Sequence, residues 1–394
     1  MRVIVAIGTR PEAIKMAPVI TALRQAQGFE VIVCASGQHR DMLKSGFDIF
    51  GIAPDIDLAA MTESGSLNEL MSAIVSRFDQ TLDDVQPDAV LVHGDTTTAS
   101  ACAMAAFHRR VRVCHVEAGL RTHDFGQPWP EELNRRIVDA IAEDLFAPTK
   151  TAKRNLLAEN LGQKRIYVTG NTIVDALQSI VAKIKSDSSL RGGFERAFEF
   201  LDPGKRLVLV TTHRRENFGQ PLRDILAALA KIAALPGIQI VLPVHLNPNV
   251  RAPVMSALSG ISNIFLTGPA DYGSFIWLLD RAALVITDSG GVQEEAPSLG
   301  KPVLVMREVT ERPEGVEAGY LRLVGTSASA IFDNAKHYLN CAGEDLRGKP
   351  NPYGDGHAAQ RITAILAGKP ALPLNGDLNL SDPLQGSREV RQAS

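Results

Sequence analysis

The sequence predicts an α/β protein of two Rossmann-like domains with parallel sheets and a cleft between them. Short β-branched apolar runs alternate with helix-length amphipathic segments almost from end to end. Continuous apolar strands joined by helical crossovers are the signature of a parallel sheet covered on both faces. The pattern restarts after a polar stretch, and 394 residues are enough for two cores of ordinary size.

In the first half the strands are VIVAI (3–7), VIVCAS (31–36), AVLVHG (89–94), VRVCHV (111–116), DLFAPT (144–149) and IYVTG (166–170). Segments such as IKMAPVITALRQA and LNELMSAIVSRFDQTLDDV supply the helices between them. KIKSDSSLRGGFERAF, polar with a glycine pair, reads as the connection near the boundary. The second half then offers RLVLVTT (206–212), IQIVLPV (238–244), NIFLTG (263–268), ALVITDS (283–289) and PVLVM (302–306). The expected division is residues 1–170, residues 171–365 and a polar, turn-rich tail over 366–394.

Composition narrows the function. The chain is 45% hydrophobic and 22% charged with a net charge of -3, an ordinary globular balance. That argues against a broad nucleic-acid or membrane surface, so any phosphate recognition must be local. No apolar stretch approaches the roughly 20 residues needed to cross a bilayer. MRVIVAIGTR reads as a first strand rather than a signal peptide. Cys34, Cys102, Cys114 and Cys341 form no C-x-x-C pair and read as thiols of a reducing compartment. The expected location is the cytoplasm.

Ligands of such folds sit beyond the carboxyl ends of the strands. The first strand ends in GTRPEAIKMAP, which lacks the G-x-G-x-x-G dinucleotide fingerprint. Pro11 fits the start of a helix. Arg10 and Lys15 place two cations there, either as surface charge or as an anion site built from side chains. VLVHGDTTT sets His93 and Asp95 two apart, and VCHVEAGLRT does the same for His115 and Glu117. Alternation puts such pairs on one side of a strand, so neighbouring strands would bring two acids to one edge of the cleft. A metal site and purely structural polar groups compete with an acid pair for proton transfer. PWPEELNRR adds Glu131 and Glu132, which favours the acids.

The second half has a different character. TTHRRENFG gathers His213, Arg214, Arg215 and Glu216 after a strand, and PVHLNPNV contributes His245. TDSGGVQEEAPSLGKP puts a Ser-Gly-Gly turn directly before two glutamates. Backbone N–H groups in such a turn attract an anion, whereas carboxylates suit hydroxyl donors. One ligand with a negative part and a hydroxyl-rich part satisfies both. ERPEG adds Arg312 downstream.

These motifs, with VMR after SLGKPVL and NPYGDG near the end, resemble the bacterial non-hydrolysing UDP-N-acetylglucosamine 2-epimerases, in the same order, over residues 1 to about 365. The resemblance implies a fold like that of GT-B glycosyltransferases and interconversion of UDP-N-acetylglucosamine and UDP-N-acetylmannosamine. It implies no cofactor and no metal, a homodimer, and a product that feeds surface polysaccharide. By motif, Asp95, Glu117, Glu131 and His213 are the catalytic positions. Arg10 and Lys15 would line the nucleotide-sugar site, and Ser289, Gly290 and Gly291 would hold the diphosphate. Glu295 would take the ribose hydroxyls, and Arg312 the nucleotide end.

The implied chemistry expels UDP to give a 2-acetamidoglucal and then adds UDP back after protonation of the opposite face. Inversion needs more than one acid, and a departing diphosphate needs preorganised donors. Competing readings are a glycosyltransferase, a hydrolysing relative, the same chemistry on a diacetamido uronic acid, and a non-catalytic nucleotide-sugar sensor. The chain departs from similar proteins at Tyr320, generally Thr, and at Ala270, often a larger polar residue near uracil, with Phe275 left to stack on the base. SGQHRDML, with Gln38 and His39, resembles the stretch that binds a regulatory second UDP-N-acetylglucosamine, although Asp41 replaces a longer side chain.

Overall fold

The computed structural model describes residues 1–37, 46–61, 65–340, 346 and 348–374. Gln38, His39, Asp41 and Cys341 lie outside them. The first sheet contains β1 (Arg2–Ile7), β2 (Glu30–Ala35), β3 (Ile56–Asp57), β4 (Ala89–His93), β5 (Arg112–Val116), β6 (Asp144–Ala147) and β7 (Arg165–Val168), in the order β3-β2-β1-β4-β5-β6-β7. The second contains β8 (Arg206–Thr211), β9 (Ile238–Pro243), β10 (Ile264–Thr267), β11 (Ala282–Thr287), β12 (Val303–Val305) and β13 (Leu321–Leu323), in the order β10-β9-β8-β11-β12-β13. The strand pairings are parallel in both sheets. The expected pair of Rossmann-like sheets is therefore present. β4 is buried at every residue, as a central parallel strand covered on both faces must be.

Strand order reverses between β1 and β4 in the first sheet and between β8 and β11 in the second. Crossovers leave in opposite directions at such a switch point, which opens a crevice beyond the carboxyl ends. The residues that follow these four strands are Gly8–Arg10, Gly94–Asp95, Thr212–His213 and Asp288–Gly290. Topology alone thus selects four of the segments singled out in the sequence.

Two strands were not anticipated. β3 and β13 are only two and three residues long, too short to show a period. The polar connection is also more regular than its composition suggests. It falls in the helices Thr172–Ser186 and Ser188–Ala197, with Asp187 between them accepting from Leu190 N at 3.0 Å. Ile184 continues the buried spacing of Ile180, and Leu190 and Phe194, four residues apart, pack partly buried on the same core, so apolar period prevails over polar content.

The helix Thr172–Ser186 packs on Arg10–Gln25 of the first half and on Tyr272–Arg281 and Gly290–Ser298 of the second. Its residues Ile173, Val174 and Leu177 share one core with Ile14 and Val292. The helix Ala358–Leu366 returns to the first half, where Ala359, Ile362 and Leu366 pack with Val3, Val5 and Met16. Buried Arg361 anchors that return through Asp355 at 2.7 and 2.6 Å and the Thr169 carbonyl at 3.0 Å. Tyr320 is a core residue rather than a cleft residue: it is buried, and its hydroxyl donates to the carbonyls of Leu346 (3.1 Å) and Lys349 (2.8 Å). Among the described residues no helix is long and apolar enough to cross a membrane.

Candidate active site

The turn after β1 is fixed before the helix begins. Thr9 and Glu12 form a capping box, and the Glu12 carboxylate accepts from Gly8 N (3.0 Å), Thr9 N (2.7 Å) and the Thr96 hydroxyl (2.8 Å). Glu12 is therefore a tie between the β1 and β4 turns. Gly8 is required because a Cβ there would collide with the Thr98 side chain. This scaffold sets Arg10 and Lys15 on the helix Arg10–Gln25. Arg10 reaches the second half and donates to the Ala270 carbonyl at 3.5 Å.

Lys15 is buried and forms ion pairs with Glu117 and, at 3.1 Å, with Glu294 of the second half. Burial opposes its charge, but the two carboxylates more than compensate and raise its pKa. Glu294 also accepts from Arg312 Nε at 2.8 Å. The result is a buried chain of alternating charge, Glu117–Lys15–Glu294–Arg312, which crosses the cleft. Burial favours the neutral form of Glu117, yet Lys15 and His93 outweigh it and hold the carboxyl well below the ordinary range.

Simple strand alternation does not describe the acids. Glu117 lies just beyond β5 with φ 69°, a left-handed backbone that takes it out of the strand's repeat. His115 is turned into the scaffold, with Nδ1 2.7 Å from Asp139 and Nε2 2.8 Å from the Gly94 carbonyl. His93, not His115, is the histidine beside Glu117, with Nε2 at 3.1 Å from Oε2. Asp95 pairs with Arg135, which also lies 3.4 Å from Glu132. Glu131 begins the helix Glu131–Ile141, and its Oε2 is buried without a hydrogen-bond partner.

In the second half, buried Asp288 organises the turn. It accepts from the Thr212 hydroxyl (2.9 Å), the backbone N–H of His213 (3.1 Å) and Arg214 (3.1 Å), and Asn217 Nδ2 (3.0 Å). His213 Nδ1 lies 3.3 Å from the same carboxylate, and its side chain is 44% exposed, so the ring remains accessible. Burial would raise the Asp288 pKa, but His213 and these N–H donors hold it down.

Ser289 is the N-cap residue of the helix Gly290–Ser298, and its side chain makes no capping bond. The first N–H groups of a helix have no internal acceptor, so this turn presents donors to an anion. A Cβ at Gly290 would stand 2.9 Å from Arg312 Nη1, which shows how closely the guanidinium lies on the glycine. The turn and Arg312 thus converge. Glu295 is buried beside Tyr272; burial drives its pKa up, Tyr272, Lys15 and Arg10 only partly offset that, and the value reaches about 7. A cavity of about 180 Å³ between the halves is lined by Arg10, Thr212, His213, His245, Ala270 and Phe275, among others.

The structure thus gathers Arg10, His213, Ala270 and Phe275 around one cavity, and Lys15, Glu117 and Arg312 in one ion network next to Ser289–Gly291. Asp95 and Glu117 hold different partners. Sequence reasoning grouped Glu294 with Glu295 as carboxylates for hydroxyl donors, whereas the structure makes it an ion-pair partner of Lys15 and Arg312. It passed over Asp288 and Arg135. The available signal for Asp288 was an acid directly after an apolar strand; the paired glutamates marked the position of Glu294 but not its contact with Lys15, and nothing local marked the pairing of Arg135 with Asp95. Among the described residues no cluster of three or more His, Cys, Asp or Glu is placed to hold a metal ion.

The family model described as UDP-N-acetylglucosamine 2-epimerase matches residues 21–367. The UDP-N-acetylglucosamine 2-epimerase of Escherichia coli K12 is 49% identical over 369 residues, covering 93% of this chain and 98% of the relative. The crystal structure of the Neisseria meningitidis UDP-GlcNAc 2-epimerase bound to UDP-GlcNAc superposes with a TM-score of 0.88 at 42% identity, over 94% of this chain and 100% of that one. The Methanocaldococcus jannaschii enzyme in complex with UDP-GlcNAc and UDP gives a TM-score of 0.79 at 33% identity, over 93% and 99%.

Proposed function

The chain belongs to the UDP-N-acetylglucosamine 2-epimerase family, and from that premise we propose how its two halves divide the reaction. It is an isomerase that interconverts UDP-N-acetylglucosamine and UDP-N-acetylmannosamine. The C2–H is weakly acidic, so its removal must accompany or follow loss of the diphosphate. The C1–O bond breaks, UDP keeps the electron pair, the C2 proton passes to a carboxylate, and a 2-acetamidoglucal remains. A proton then enters C2 from the other face as the UDP oxygen re-forms the bond to C1.

In this proposal residues 1–170 supply the acids and residues 171–365 hold the nucleotide. Ser289, Gly290, Gly291 and Arg312 receive the charge that grows on the diphosphate, and Lys15 links it to Glu117. Glu295 takes the ribose, Phe275 and Arg10 flank the base and sugar, and His213 serves the leaving oxygen. Asp95, Glu117 and Glu131 share the two proton transfers. The buried chain Glu117–Lys15–Glu294–Arg312 supports this reading most directly, because it joins a proton-transfer group to an anion site through contacts of about hydrogen-bond length. Preorganised charge of this kind acts at full strength where water is excluded. A homodimer in the cytoplasm, a surface-polysaccharide precursor as product, and regulation by a second UDP-N-acetylglucosamine at Gln38 and His39 belong to the same proposal.

Incubation with UDP-N-acetylglucosamine in heavy water, followed by NMR, tests it. Deuterium should appear at C2 during turnover, and Glu117→Gln should lower exchange on the order of 100-fold or more. Epimerisation with full retention of the original C2 hydrogen would overturn the mechanism.

A further inference from the structure

His93 closes β4, and the β4–β5 register sets it opposite Val116, next to Glu117. The residue is only 4% exposed, and neither ring nitrogen has a hydrogen-bond partner of regular geometry. Nε2 nevertheless stands 3.1 Å from Glu117 Oε2. Its counterpart on the neighbouring strand, His115, has both nitrogens satisfied. Buried polar atoms left without partners are rare and oppose folding, so each one marks a place where packing alone did not set the arrangement.

Lys15 Nζ meets the same oxygen of Glu117 that faces His93. With both cation and imidazole on Oε2, the other oxygen is the one available to a ligand. An ionised carboxylate only accepts, so the contact requires the hydrogen on Nε2. We infer that His93 is a positioning residue for the hydrogen transfer at C2: its Nε2–H steadies Glu117 Oε2 so that Oε1 addresses the sugar. This rests on the epimerase reading and on Glu117 as one of the acids.

The ring does not act alone. Glu12, on the helix Arg10–Gln25, interacts electrostatically with it, while Lys15, Glu294 and Arg312 make up the charged surroundings of Glu117. Loss of the imidazole removes one of the groups that keep Glu117 ionised. The carboxylate must then take up a proton at higher pH, and the acidic limb of kcat must move in the same direction.

The test compares His93→Leu with His93→Gln in the full chain; the glutamine amide keeps a donor near the reach of Nε2. His93→Leu should lose kcat on the order of 100-fold, as small misplacements of reacting groups do. KM for UDP-N-acetylglucosamine and the affinity for UDP should stay within about threefold, because ground-state binding is spared. The acidic limb should rise by about one pH unit, a change of about tenfold in the ionisation constant. His93→Gln should recover most of the rate and return the limb towards its original position. Thermal melts report folding separately, and if the leucine variant does not fold, the glutamine and asparagine variants carry the comparison of limbs. An unmoved limb, or a glutamine variant no better than its leucine or asparagine counterpart, would overturn the inference. Failure of the unaltered enzyme to epimerise, visible in the same NMR assay, would instead remove the functional reading and this inference with it.

Discussion

Glu131 and Glu132 share the first turn of one helix and have opposite surroundings. Glu132 is fully buried and accepts from Thr122 N (3.1 Å), the Thr122 hydroxyl (3.2 Å) and Arg136 Nε (3.0 Å). Glu131 keeps a buried carboxylate oxygen with no partner. The same contrast separates His115 from His93 on adjacent strands. In the second half Asp288 resembles Glu132, because backbone and side-chain donors complete its shell. In these pairs the completed groups hold the turns in place, whereas Glu131 keeps an acceptor free and His93 leans on Glu117 alone. Departures from local consistency gather at functional sites.

The largest effect should come from exchanging the two glutamates one at a time. Glu131→Gln should lower kcat on the order of 100- to 10,000-fold while the thermal midpoint holds, since the proposed role is proton transfer and no bond within the protein is broken. Glu132→Gln should do the reverse. It removes a charge from a filled shell, at a cost of about 1–3 kcal/mol in denaturant unfolding, while the folded fraction keeps most of its turnover. Equal losses of turnover in both variants would break the distinction.

An intermediate effect is expected at Glu295, whose carboxyl titrates near 7 rather than 4.5. The sign follows from which form each state prefers. The free folded enzyme binds a proton here that the unfolded chain gives up, so this group adds stability as pH falls from about 7 towards 4.5. In the proposed assignment ribose hydroxyls donate to the ionised form, so ligand binding expels that proton below about 7. The affinity for UDP-N-acetylglucosamine should therefore weaken about tenfold between pH 8 and pH 6. Titration calorimetry on a Glu117→Gln background, where turnover is suppressed, checks this, and Glu295→Gln should flatten the profile. A flat profile with Glu295 present would place the ribose elsewhere.

How much of this was legible in the sequence depends on the range of the contact concerned. Apolar runs located every strand except β3 and β13, because periodic burial is a local property that two or three residues cannot display. The strand-end motifs named Lys15, Glu117, Ser289 and Arg312 as site residues. They could not show that Lys15 would pair with Glu294, which lies in the other half of the chain. They also could not separate His93 from His115, since both occupy the same kind of position and differ only in what packs around them. Glu117's left-handed backbone, which defeats the alternation argument, leaves no mark on residue type.

The smallest effect concerns Tyr320, where the departure from similar proteins had left cleft and core both open. Its ring lies in the core, and its hydroxyl is completed by two carbonyls. Tyr320→Phe keeps the volume and removes one donor, so it should cost only about 1 kcal/mol of stability and leave kcat unchanged. Tyr320→Thr also empties the space of an aromatic ring, and a loss of about 3 kcal/mol or more is expected from the cavity. Neither variant should alter the affinity for UDP-N-acetylglucosamine, because the side chain is buried in the core and its hydroxyl bonds to backbone carbonyls. A threonine variant with normal stability and altered turnover would return Tyr320 to the set of groups that meet the ligand, and completed bonding would then fail as a mark of scaffold.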